Sequence, residues 1–211
     1  MTPFAFSGRE LELELLEPGS TLVRLFRHPG GEWEPPPARS RLLRVDPPDG
    51  QQDAYAVLYT GETLLTVAIE CGVLRADLRD RYSWHMPKAR EYRVVRYRVG
   101  APVVFIPIDG RNRRTLGLAG SQREFLGYAP YRAVAHELHH RYGAAVHGLS
   151  WESFHRNQPG RVYALWHEHK ATVELKIISP PPYELLIDDG EWIAFIENTP
   201  DIEGVDDLPS T

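Results

Sequence analysis

The chain has 211 residues, 42% hydrophobic and 25% charged, with a formal net charge of -5 at pH 7. That is enough for one domain with a full core. The acidic balance gives no basic field to gather nucleic acid, no stretch approaches the roughly 20 apolar residues that cross a bilayer, and the lone cysteine, Cys71, excludes an internal disulfide or a thiolate metal cluster.

Residues 1–20 carry acidic groups where an export signal needs a basic start and a continuous apolar core, so a cytoplasmic location is expected. TLVRLFR, residues 21–27, alternates as a strand does. Residues 54–59 form an apolar strand ending in Tyr59, followed by a polar break and an apolar helix expected over 63–74, with Thr60 or Thr63 as its cap. That helix carries Glu70, whose charge would be costly if buried without a partner. EYRVVRYRV (91–99) and PVVFIPI (102–108) read as two strands separated by the Gly100 turn. PYRAVAHELHHRY (130–142) is a helix with Gly143 just past its end, and AAVHGLSW (144–151), VYALW (162–166) and KATVELKII (170–178) are further strands. The acidic tail, residues 201–211, is poor in large apolar groups and is expected to fray.

The Gly- and Pro-rich turns punctuate a single domain, residues 1–211 with a core over about 22–190, and no repeat is present. Strands and helices mix without the regular alternation of a doubly wound sheet. The expected class is therefore α+β, with mixed small sheets and packed helices.

His136-Glu137-Leu138-His139-His140 fits the H-E-x-x-H pattern, in which two imidazoles one helical turn apart hold zinc and the glutamate activates a bound water. At 100° per residue, however, Tyr131, Val134, Ala135, Leu138 and Tyr142 share one stripe with His136 and His140 roughly opposite, as in an amphipathic helix with a polar outer face. Arg141, directly after the second histidine, places a cation beside any metal there. The extended pattern needs a third histidine at position 146, which is Val146; His147 misses by one. A distant third ligand would have to come from His167-Glu168-His169. A zinc-dependent hydrolase or peptidase using His136 and His140 is the alternative, with no metal in the preferred reading.

Arg24 in LVRLFR, Arg44 in RVDPP, a strand ending in Tyr59 with Glu70 eleven positions later, and GLSWES followed by Phe154, which offers Ser153 with Ser150 as a substitute, form a set of separated segments. Together they resemble the RES-domain family. Val45 stands where an aromatic is usual, Glu152 where a proline is common, and Ala129 where some relatives carry a polar residue. The resemblance spans roughly residues 22–166 and implies an ADP-ribosyltransferase-like fold and an enzyme that consumes NAD+. It also implies the toxin of a toxin-antitoxin pair, partnered in a hetero-oligomer by an Xre-like antitoxin.

On that resemblance Glu70 stabilises the oxocarbenium-like ribose, and Arg24 and Arg44 bind the diphosphate through their planar forks. Tyr59 stacks on or edges the nicotinamide, and Ser153 holds its amide or a ribose hydroxyl. NAD+ is the substrate rather than a bound cofactor, with inorganic phosphate as a candidate co-substrate. A catalytically inactive RES-like binding module is the remaining alternative.

Overall fold

The computed structural model describes residues 4–76, 81–119, 127–153 and 160–206. In chain order the strands and helices are β1 (Ala5–Phe6), β2 (Arg9–Glu10), β3 (Glu14–Leu16), β4 (Thr21–Phe26), β5 (Val57–Gly61), α1 (Leu64–Glu70), β6 (Leu74–Ala76), β7 (Tyr82–His85), α2 (Met86–Glu91), β8 (Arg93–Arg98) and β9 (Val103–Pro107). They continue with α3 (Gly110–Thr115), α4 (Ala129–Tyr142), β10 (Gly148–Glu152), β11 (Arg161–Trp166), β12 (Lys176–Ile177), α5 (Gly190–Asn198) and β13 (Glu203–Val205).

The α+β class holds. Most strands join one eight-stranded sheet in the order β12-β8-β4-β5-β11-β10-β9-β3, accompanied by a three-stranded sheet β13-β7-β6 and the β1-β2 pair. Neighbours in the large sheet run antiparallel except β9 and β10, which are parallel. The Gly100 turn does not make β8 and β9 neighbours: β8 pairs with β4 and β12, and β9 with β3 and β10.

Period-2 alternation sends side chains to two faces of this sheet. On β11, Val162, Ala164 and Trp166 join a core with Tyr131, Ala135 and Leu138 of α4, while Tyr163 and Leu165 join the opposite core with Leu22, Leu58, Tyr97 and Phe105. The stripe expected for α4 is therefore its packing face, with Val134 and Tyr142 at its margin. A third core places Leu64, Val67, Ala68 and Ile69 of α1 against Val23 and Leu25 of β4 and Trp192 of α5.

Helix α1 starts as expected, with the Thr63 side chain accepting from the Thr66 amide at 3.1 Å. It ends at Glu70, earlier than the expected residue 74. Gly72, at φ +63°, lets the chain reverse so that the Val73 amide reaches the Ala68 carbonyl at 2.8 Å, and Leu74 begins β6. Of the segment KATVELKII only Lys176–Ile177 is a strand. Within the tail expected to fray, Glu203–Val205 pairs in parallel with residues 83–85 of β7 as the outer strand of the small sheet. Residues 207–211 lie outside the described residues. No described helix is long and apolar enough to cross a membrane.

Candidate active site

Strand β5 lies at the centre of the large sheet, between β4 and β11, with Tyr59 opposite Ala164 and Gly61 opposite Val162. Its last residue is a glycine for a steric reason. A Cβ at Gly61 would lie 2.6 Å from Val67 Cγ1, so glycine lets α1 fold back closely on the strand it follows. The spacing from Tyr59 to Glu70 thus spans a strand end, a tight break and a seven-residue helix.

Glu70 is the final residue of α1 and is half-buried. The C-terminal turn of a helix is the unfavourable end for an anion, by roughly 0.3–1 kcal/mol for an exposed group. Its compensation is Ser153, whose hydroxyl donates to Glu70 Oε1 at 2.9 Å. Ser153 is 7% exposed and follows β10, its amide donating to the Gly160 carbonyl at 2.9 Å, so the ladder between β10 and β11 continues one step past Glu152. Phe154 lies outside the described residues.

Arg24 projects from β4 and is 5% exposed. Its Nε donates to the Gly31 carbonyl at 2.9 Å and its Nη1 to the Tyr59 carbonyl at 3.2 Å, so both bonds anchor backbone. Burial pulls the guanidinium below its usual range, against the nearby Tyr97, Cys71, Tyr59 and Asp46. The pairing of Arg24 with β5 ties two candidate residues together, and its field reaches Cys71, the residue after Glu70.

Arg44 is held differently. Its guanidinium carbon lies 5.4 Å from the Tyr128 ring centroid, 5.4 Å from that of Tyr131 and 5.7 Å from that of Trp151, within a three-sided aromatic enclosure. Trp151 also meets Tyr59 edge-on at 6.4 Å. Trp151 and Ser153 are two positions apart and both buried, flanking an exposed Glu152, so they leave the strand on one side. Arg24, Tyr59 and Arg44 therefore form one connected group, Glu70 and Ser153 a second, and the end of β10 joins them.

The Tyr59 hydroxyl turns inward. It donates to Asp46 Oδ1 at 3.2 Å and accepts from the Val45 amide at 3.2 Å. Burial, and then the Asp46 charge, push its pKa well above the ordinary phenol value. Asp46, 2% exposed, is a participant that the sequence did not single out; within a DPPD run it reads as an ordinary turn residue. Burial raises its pKa despite the Leu43 amide and the Tyr59 hydroxyl that bond to it. Nor does the sequence mark Trp151, Tyr128 and Tyr131 as neighbours of Arg44, since all three lie far from it along the chain. Ser150, the substitute for Ser153, is fully buried elsewhere and bonds to Glu14 and, at 3.0 Å, to Arg161.

The H-E-x-x-H segment lies on α4 as expected, yet its side chains are otherwise engaged. Glu137 pairs with Arg141 one turn on, and His140 points to solvent. His136 stacks toward Tyr55 with ring centroids 6.3 Å apart. The more fully engaged imidazole is His139, stacked on Tyr55 at 4.4 Å with Nε2 2.6 Å from Glu168. His169 bonds to the Gly143 carbonyl at 2.7 Å, and His167 lies 2.5 Å from Lys170 Nζ. Among the described residues no group of three or more His, Cys, Asp or Glu is arranged to hold a metal ion.

The RES domain family matches residues 21–188, a span that contains every residue of the two groups, and the chain belongs to that family. Among solved structures the chain is similar to the crystal structure of the M. tuberculosis MbcT-MbcA toxin-antitoxin complex, with 14% sequence identity and a TM-score of 0.44, covering 78% of this chain and 84% of that chain. No curated protein gives a significant match.

Proposed function

We propose that this RES-domain protein cleaves the bond between nicotinamide and ribose in NAD+, by hydrolysis or phosphorolysis, as the toxin of a toxin-antitoxin pair. The observation that supports this most is the hydrogen bond from Ser153 to Glu70, which sets a carboxylate at the end of a core helix and fixes its orientation. With Oε1 engaged by Ser153, Oε2 is the oxygen for a ribose hydroxyl or for the incoming nucleophile.

Nicotinamide leaves as a neutral pyridine, taking the electron pair of the C1′–N bond, so the leaving group needs little acid catalysis. Positive charge accumulates on the ribose, where a fixed carboxylate stabilises it. The acceptor oxygen, from water or phosphate, forms the new bond at C1′ and releases its proton to Glu70 or to solvent. Arg44 supplies a cation whose plane is set by its aromatic walls, suited to the diphosphate. Arg24, committed to two carbonyls, holds the strand that carries Tyr59, and the Tyr59 ring rather than its hydroxyl is the surface for nicotinamide.

An Xre-like antitoxin in a hetero-oligomer is the partner this reading implies. The deciding experiment follows NAD+ loss with purified protein, with and without phosphate, beside Glu70→Gln. Loss that vanishes in the variant supports the reading, and its phosphate dependence names the acceptor. A wild-type protein that leaves NAD+ intact in both buffers refutes it.

A further inference from the structure

Asp46 is a buried carboxylate at the centre of a bonded unit that no part of the proposed chemistry uses directly. Oδ2 accepts from the Leu43 amide at 2.7 Å, while the Asp46 amide donates to the Leu43 carbonyl at 3.3 Å, so the carboxylate closes a short turn whose second residue is Arg44. Oδ1 accepts from the Tyr59 hydroxyl. The same hydroxyl accepts from Val45, and the Tyr55 hydroxyl donates to the Val45 carbonyl at 3.0 Å. Two tyrosines, one just before β5 and one in its middle, therefore hold the amide and the carbonyl of Val45, and Asp46 anchors the second of them, Tyr59.

The far side of the turn is fastened to α4. Arg132 Nε donates to the Leu43 carbonyl at 3.1 Å, its Nη2 to that of Leu42, and its Nη1 meets Asp49 at 2.9 Å. Tyr131, one wall around Arg44, is the adjacent residue of the same helix. An acidic side chain in this place costs desolvation, and Asn would offer only one accepting oxygen where Asp offers two. A carboxylate suits the position because two donors from different segments must be met at once.

We propose that Asp46 is a positioning residue that locks the turn bearing Arg44 to Tyr59, so that the cation and the aromatic ring of the candidate site move as one preorganised unit. The inference deepens the NAD+-cleaving reading and rests on it for its kinetic consequence, while the mechanical part stands separately. Diphosphate binding would weaken when the lock is released, and bond cleavage at Glu70 would not.

The test compares the full-length wild type with Asp46→Asn, Tyr59→Phe and the double variant. Two readouts are used: steady-state NAD+ kinetics and hydrogen exchange of the amides at residues 43 and 45. Each single variant is expected to raise KM about tenfold, the size of one lost hydrogen bond to a charged group, with kcat nearly unchanged. The double variant should lose less than the two single losses added together, because both remove the bond between Asp46 and Tyr59. Exchange at 43 and 45 should quicken in Asp46→Asn, and at 45 in Tyr59→Phe. Additive kinetic losses, a fall in kcat at constant KM, or unchanged exchange would overturn the proposal. If the wild type consumes no NAD+, the functional reading fails on its own, and exchange decides the lock: quickened exchange in both variants upholds it and unchanged exchange refutes it.

Discussion

Gly160 and Thr66 approach so closely that a Cβ at position 160 would lie 2.1 Å from Thr66 Oγ1. Thr66 cannot readily yield, since its hydroxyl lies 2.9 Å from that of Thr63, the residue that caps α1. The same glycine accepts the amide of Ser153, so the contact sets the distance between the start of α1 and the strand end that delivers Ser153 to Glu70. Gly160→Ala is expected to destabilise the fold by about 1–3 kcal/mol through overpacking. It should also lower NAD+ turnover in the fraction that remains folded. Thermal melting and turnover measured on one preparation check both effects.

Glu70→Gln keeps the shape and the Ser153 bond but removes the charge. It is expected to lower NAD+ cleavage by about 100-fold or more, in line with the loss of a preorganised electrostatic contact in the transition state. Ser153→Ala leaves the carboxylate charged yet unoriented and should cost about tenfold. Circular dichroism melts of both variants close to the wild type would show that the losses belong to the site.

The enclosure of Arg44 by Tyr128, Tyr131 and Trp151 suits a flat, delocalised cation. Arg44→Lys retains the charge without the planar fork. We expect KM for NAD+ to rise about tenfold for lysine and further for Arg44→Ala, because two parallel hydrogen bonds to phosphate oxygens are lost. A lysine variant with wild-type KM would remove Arg44 from diphosphate binding.

Acid stability should depend on Asp189. This residue, 2% exposed, takes two hydrogen bonds from Arg96 at 2.8 and 2.9 Å and caps α5 by accepting from Glu191 and Trp192. Burial pushes its pKa up, but the Arg96 hydrogen bonds and charge with the two amides outweigh that and bring it below the ordinary 3.8. A depressed folded-state pKa means that the stabilisation is present above the unfolded value and disappears as pH falls through the folded one. Melting temperature should therefore drop below about pH 4, and Asp189→Asn should be less stable at pH 7 with a flatter acid limb. Because Arg96 is partly exposed and keeps its contact with Glu191, the loss is expected to be about 1–3 kcal/mol.

Turnover should be indifferent to chelators and to His136→Ala with His140→Ala. Glu137 faces Arg141 and His140 faces solvent, an arrangement that aims neither at a shared metal. Loss of activity on chelation, restored by zinc, would return weight to the hydrolase alternative.

Local features were legible because they are written in neighbouring residues. The strand around Arg24, a strand through Tyr59, a threonine cap for α1 and the apolar stripe of α4 all follow from periodicity and capping chemistry acting over a few positions, although β5 begins at Val57 and runs on to Gly61 rather than ending at Tyr59. The end of α1 is masked in the sequence because Leu74 continues the apolar pattern, and only Gly72 with the pairing of β6 to β7 draws those residues into a strand. The pairing within the tail is hidden from the sequence for a related reason. The residues in Glu203–Val205 have weak strand character alone, and the backbone bonds to β7 supply what their side chains lack.

The sequence by itself determined the α+β class, the elements that carry Arg24, Tyr59 and Glu70, and the family pattern that groups them with Arg44 and Ser153. Tertiary structure alone decided that β8 and β9 lie apart and that Arg24 anchors backbone. It also decided that Arg44 sits among three rings, from α4, the residue that precedes it and β10, and that Asp46 ties its turn to Tyr59. Those outcomes depend on groups tens of residues apart meeting in a close-packed interior, where partner, distance and burial are set jointly by the whole chain.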